Sequence, residues 1–137
     1  MSTISKINPI KPQEKLIDEV AKVLYDGGII GYPTETIYGI GCSAYNNIAV
    51  QRIYDLKGRD QSKAMILIAA DLLQVQELVK NIPDAAEKLM ESFWPGPLTM
   101  VFEASEKLHQ YAIKNSKTIA IRIPACPICL SLLKSCD

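Results

Sequence analysis

Between Pro12 and Gly27, apolar residues recur at helical spacing, with Leu16, Val20, Val23 and Leu24 on one stripe. Pro12 suits a first helical turn, and Gly27-Gly28 is a C-terminal stop. The period then changes. Ile29 to Tyr32 is a short apolar strand ended by Pro33, and Pro33 to Tyr45, rich in Thr, Gly and Tyr, reads as irregular or short extended structure. Asn46 or Asn47 caps a second helix with Val50, Ile53, Tyr54 and Leu56 semi-buried, stopping at Lys57-Gly58-Arg59. Met65 to Ala70 is almost continuously apolar, the pattern of a strand at the centre of a sheet. Asp71 caps a helix running to about Lys80, and Pro83 opens another that reaches Phe93. Trp94-Pro95-Gly96-Pro97 breaks it. Leu98 to Ala104 and Thr118 to Pro124 are strands, and Pro127 to Lys134 is a last helix.

This order predicts an α/β fold, a twisted mixed sheet with packed helices. Strands Leu98–Ala104 and Thr118–Pro124 have no obvious helix between them, so mixed strand directions are expected rather than a Rossmann order. The chain has 137 residues, enough for one domain with a core of its own. At 48% hydrophobic and 22% charged residues it is not a disordered chain. Its formal net charge of zero argues against tight sequence-independent binding of nucleic acid. The N-terminal stretch lacks the apolar core of a secretory signal, and no apolar run is long enough to span a bilayer. A soluble cytoplasmic protein without a membrane partner is the expectation. Cys126-Pro127-Ile128-Cys129 has the C-x-x-C form, but it lacks the aromatic neighbour of a redox pair, and the only histidine, His109, is far off in sequence. Buried small hydrophobes are the simpler reading of these thiols.

Three segments carry candidate chemistry. Lys57, Arg59 and Lys63 cluster at and after a helix end. Cations favour helix C-termini through the macrodipole; they also make a phosphate clamp, Arg as a fork and Lys as a point charge. Tyr32 to Gly39 puts two threonines, a carboxylate and two phenols just after a strand. Such a loop is either a turn whose threonines bond their own backbone or a ligand loop. In Thr118–Ile123, alternation puts Ile119, Ile121 and Ile123 on one face and Thr118, Ala120 and Arg122 on the other. Arg122 is then either a solvated edge charge or a carboxylate anchor on a cleft floor, with Ala120 leaving room. No nucleophile stands beside a histidine, so no hydrolytic triad and no catalytic side chain is assigned. Glu35 has the chemistry of a base, but no pattern requires one.

Together these segments resemble the YrdC/TsaC family of threonylcarbamoyl-AMP synthases. Gly27 to Gly41 resembles the family's opening signature, Lys57-Gly58-Arg59 its K-x-R, Trp94-Pro95-Gly96-Pro97-Leu98-Thr99 its W-P-G-P-L-T, and Arg122 to Pro127 its R-x-P-x-H-P, with Cys126 where the family has histidine. The resemblance implies a YrdC-like α/β domain around a positively charged cavity. It implies a nucleotidyltransferase that converts L-threonine, bicarbonate and ATP, with Mg2+, into threonylcarbamoyl-AMP and pyrophosphate. That product serves tRNA t6A modification, with downstream tRNA-modification proteins as partners and tRNA or another RNA as a further one. By motif, Thr36 and Arg122 would hold threonine, Arg122 on its carboxylate. Lys57, Arg59, Lys63 and Thr118 would hold ATP, and Tyr32 and Thr34 would be wall residues; no protein metal site is implied. The family continues past R-x-P to an S-x-N motif, so residues 1–137 are expected to be one YrdC-like domain lacking its C-terminal part, with activity impaired. The alternative is a non-catalytic module of the same fold that holds a nucleotide, threonine or double-stranded RNA. A carbamoyl-transfer domain of the hydrogenase-maturation type is a third reading.

Overall fold

The computed structural model describes residues 2–60, 63–106 and 116–136. His109 lies outside them. In chain order the elements are α1 (Glu14–Tyr25), β1 (Ile30–Tyr32), β2 (Gly39–Gly41), α2 (Asn47–Lys57), β3 (Leu67–Ile68), α3 (Leu72–Leu78), α4 (Asp84–Phe93), β4 (Met100–Glu103), β5 (Thr118–Arg122) and α5 (Pro127–Lys134).

The mixed sheet is present. Among the described residues its order is β3-β5-β4, with β3 parallel and β4 antiparallel to β5. A separate antiparallel hairpin pairs Ile30 with Gly41 and Tyr32 with Gly39, so the Pro33–Tyr45 segment, read as irregular or short extended structure, contains a short strand. The Met65–Ala70 run is not central. It shrinks to a two-residue edge strand, and β5 takes the middle. The reason lies in burial from both sides. Leu67 packs on the main core and Ile68 on a second cluster, while Ala69 and Ala70 are buried. An apolar run reports that both faces are covered, not that both edges are paired.

The main core lies between one sheet face and α3–α4. It joins Ile119, Ile121 and Ile123 to Phe102, Val75, Met90 and Trp94. On the α1–α5 side, Ile17 packs with Cys126, Ile128 and Cys129, and Ala21 and Leu24 pack with Leu132. The buried stripe of α1 is therefore Ile17, Ala21 and Leu24, at i, i+4 and i+7, while Val23 is 45% exposed. Leu56 of α2 is likewise exposed, and Ala49, Val50, Ile53 and Tyr54 are buried. Ile119 and Ile121 of β5 and Ile123 just after it are buried, and each contributes roughly 1.5–3 kcal/mol.

Helices α1 and α2 end in the same way. Gly27 (φ 82°) and Gly58 (φ 57°) take the left-handed conformation that side chains resist. Gly27 N–H bonds Leu24 O and Gly28 N–H bonds Val23 O; Gly58 N–H bonds Asp55 O and Arg59 N–H bonds Tyr54 O. Both are Schellman caps. One aims the chain into β1, and the other aims the chain at Arg59.

Candidate functional site

β5 places Arg122. Its face opposite the isoleucines carries Thr118, Ala120 and Arg122, and register puts Ile68 beside Arg122 and Val101 beside Ala120. Val101 is 65% exposed, so this face is open where the other is sealed. Arg122 does not reach into solvent. Its side chain is 14% exposed; two segments distant in sequence converge on it, and the turn just after β5 holds one of them in place.

The first is the Trp94-Pro95-Gly96-Pro97 turn, which has a cis Trp94–Pro95 bond. Gly96 N–H donates to Ile123 O (2.8 Å), and Gly96 O accepts from Arg122 Nε (2.9 Å), so one glycine docks the turn on the end of β5 and orients the guanidinium. A Cβ at Gly96 would lie 2.3 Å from Phe93 O, and the position admits no side chain. The Trp94 indole N–H closes the turn on Leu98 O (2.7 Å).

The second is the loop between β1 and β2. Thr34 organises it. Its Oγ1 donates to Ile37 O (2.6 Å) and accepts from the N–H groups of Thr36 and Ile37 (3.2 Å each). The backbone-bonding reading of the threonines thus holds for Thr34. Thr36 Oγ1 lies 3.0 Å from Thr34 Oγ1 and accepts from Arg122 Nη1 at 3.4 Å across 86 residues of sequence. Between them, Glu35 forms an ion pair with Arg122 Nη2. Tyr32 braces the hairpin, its ring lying so close to Gly39 and Gly41 that a Cβ there would meet it at 2.8 and 2.7 Å.

The turn just after β5 leads into α5. Ala125 N–H donates to the second oxygen of Glu35. Beneath it Cys126 and Cys129 are buried as free thiols. Burial, then the neighbouring Cys126, pushes the Cys129 thiol up to about 12, against a weaker opposing pull from Arg122. Burial likewise raises the Tyr32 phenol, with Arg122 opposing. Both groups are neutral at physiological pH, so this wall is apolar and Arg122 is its cation.

The basic loop is built differently. Lys57 ends α2 and is exposed, as are Arg59 and Lys63. Arg59 turns back on its own loop, its Nη2 donating to Ala64 O (2.9 Å) and its Nε to Lys63 O (3.3 Å). The Tyr54 hydroxyl donates to Lys63 O as well (2.7 Å). Thr118 sits at the far, exposed end of β5, its hydroxyl 3.1 Å from that of Ser116. Four strand steps, roughly 13 Å, separate it from Arg122. The structure thus brings Thr36 to Arg122. Among the described residues no hydrogen bond or ion pair joins Lys57, Arg59, Lys63 or Thr118 to that pair. Sequence reasoning assigned neither Glu35 nor the backbone groups of Gly96 and Ala125 to the site. An acid flanked by two threonines was the one signal for Glu35.

Two clefts lie elsewhere. One, about 500 Å3, lies on the Ile123 side of β5 and is lined by Asp71, Glu87, Met90, Glu91 and Trp94. It offers carboxylates where the expected ligands are anions, so chemistry favours the Arg122 face. No group of three or more His, Cys, Asp or Glu among the described residues is arranged to hold a metal ion. Nor is any described helix long and apolar enough to cross a membrane.

Residues 22–137 match the family model Sua5_yciO_yrdC, described as "Telomere recombination". The threonylcarbamoyl-AMP synthase of Pyrococcus abyssi is 38% identical over 122 residues, covering 89% of this chain and 36% of that protein. The crystal structure of P. abyssi Sua5 complexed with L-threonine superposes with a TM-score of 0.87 at 37% identity, over 92% of this chain and 37% of that one. The structure of Escherichia coli YciO superposes with a TM-score of 0.90 at 28% identity, over 99% of this chain and 66% of that one. The chain spans about a third to three-fifths of the length of the curated relatives it matches.

Proposed function

The chain belongs to the Sua5/YciO/YrdC family, and from that premise we propose that it binds L-threonine at Thr36 and Arg122 and serves threonylcarbamoyl-AMP synthesis. The observation that carries this reading is the approach of Arg122 to Thr36 from 86 residues away, on an open sheet face. A guanidinium with a hydroxyl beside it suits an α-carboxylate. The cytoplasm is the proposed compartment.

In the proposed reaction the threonine amine is carboxylated by bicarbonate. The resulting carbamate oxygen attacks the α-phosphorus of ATP as the bond to pyrophosphate breaks. Positioning and charge neutralisation supply such catalysis, so no protein nucleophile is needed. Lys57, Arg59, Lys63 and Thr118 are the proposed ATP contacts. Mg2+ would travel on the ATP phosphates, since it commonly keeps several waters and binds through substrate phosphate. Downstream tRNA-modification proteins and tRNA are the proposed partners.

A second reading is a module that holds threonine or nucleotide without turnover. The Arg59 side chain favours it, being spent on the carbonyls of Lys63 and Ala64. Incubation with ATP, bicarbonate and labelled threonine separates the two. Threonylcarbamoyl-AMP is the expected product; its absence, with threonine still binding by calorimetry, sinks the synthase reading and leaves the module.

A further inference from the structure

Glu35 has no part in the reaction just proposed, yet both of its carboxylate oxygens have partners in the corner. One carboxylate oxygen meets Arg122 Nη2, and the other accepts Ala125 N–H. Its side chain is 22% exposed on a surface loop, so the carboxylate turns inward. We propose that Glu35 is the positioning residue of the carboxylate site, fixing the Arg122 guanidinium so that Nη1, beside Thr36, is left for a ligand. This rests on the threonine reading above.

A guanidinium has five N–H groups in one plane. Nε–H is taken by Gly96 O, and Nη2 faces Glu35. Two fixed points on one side of a planar group set its rotation; both Nη1 hydrogens and the second on Nη2 remain, and Nη1 is directed at Thr36 Oγ1. Glu35 itself cannot swing freely, because Ala125 N–H holds its second oxygen. The arrangement also ties the hairpin loop to the β5–α5 turn, so the threonine hydroxyl and the guanidinium keep a common frame. A glutamine at 35 preserves size and one acceptor. It loses the charge that matches Arg122 and offers that cation an amide in place of a carboxylate.

The test compares wild type, Glu35→Gln and Glu35→Asp by calorimetry, titrating L-threonine and L-threoninol, which lacks the carboxylate. Wild type is expected to prefer L-threonine by at least about tenfold. In Glu35→Gln that preference falls to about twofold or less, with threoninol affinity little changed; Glu35→Asp keeps an intermediate preference. General loss of structure would weaken both ligands alike, so an unchanged ratio in Glu35→Gln overturns the proposal. The 15N side-chain spectrum of Arg122 gives a readout independent of threonine. Wild type should show slowly rotating, separately resolved Nη signals that merge in Glu35→Gln. Signals that stay resolved in the variant overturn the positioning role. If wild type fails to bind L-threonine while those signals still merge in the variant, the threonine reading falls and the positioning of Arg122 stands.

Discussion

Two cationic regions of this chain hold their charges in opposite ways. At the Arg122 corner, a strand end, a hairpin loop and a proline-rich turn meet on one guanidinium, which is nearly buried, and the entry to α5 holds its partner Glu35. In the Lys57–Lys63 loop, three cations stand exposed behind a Schellman cap, and the one with a fixed partner is bonded to its own loop's carbonyls. The first region has its ordering cost met during folding. The second must be ordered by whatever binds it. Carboxylate recognition should therefore be stiff and specific, and phosphate recognition adaptable and salt-sensitive.

Arg122→Ala should break the contrast most severely. It leaves Glu35 and Gly96 O without their cation, so stability should fall by about 3 kcal/mol in urea unfolding, and threonine binding should vanish from calorimetry. Unchanged threonine affinity would make both regions equally dispensable. The apolar support of the corner should show in alkali. Cys129 keeps its proton in the folded protein up to about 12, while an unfolded thiol ionises near 9.0. Between those values the native state binds more protons than the unfolded one, so stability falls as pH rises. The slope is up to about 1.4 kcal/mol per pH unit from this group. Its contribution is fully present below pH 9, and Tyr32, also raised by burial, adds in the same direction above 10. Cys129→Ala should flatten the alkaline limb of the stability profile; an unchanged limb would show that burial does not govern this thiol.

Effects in the loop are smaller. Arg59→Ala should weaken ATP roughly tenfold and threonine less than twofold, with about 1 kcal/mol of stability lost from two exposed hydrogen bonds. Equal losses for both ligands would contradict the division of labour. Lys57→Ala should leave stability within about 0.5 kcal/mol and lower ATP affinity only at low salt, because the side chain is solvated.

The parts legible in the sequence were those set by short-range pattern. Alternation in Thr118–Ile123 gave both the buried isoleucines and the open Arg122 face. Asn46 and Asp71 cap their helices as their side chains allow, each accepting an N–H three residues on. What failed depended on partners distant in the chain. The apolar run Met65–Ala70 reports cover on both faces, but nothing within it shows that it is paired on one edge only among the described strands. Whether Arg122 met solvent or a cleft stayed open because the decision rests with Gly96, Glu35 and Thr36, 26 to 87 positions away. For the same reason Glu35 looked like a base without a task. Its task depends on Ala125 N–H, 90 residues on.

The most direct test of the central claim is a crystal structure of the chain with L-threonine. The account predicts the ligand carboxylate on Arg122 Nη1 with the Thr36 hydroxyl beside it, and Gly96 O and Glu35 still holding the other two edges. Threonine seated at the Lys57–Lys63 loop, or bound only after Arg122 has left Gly96 and Glu35, would contradict it.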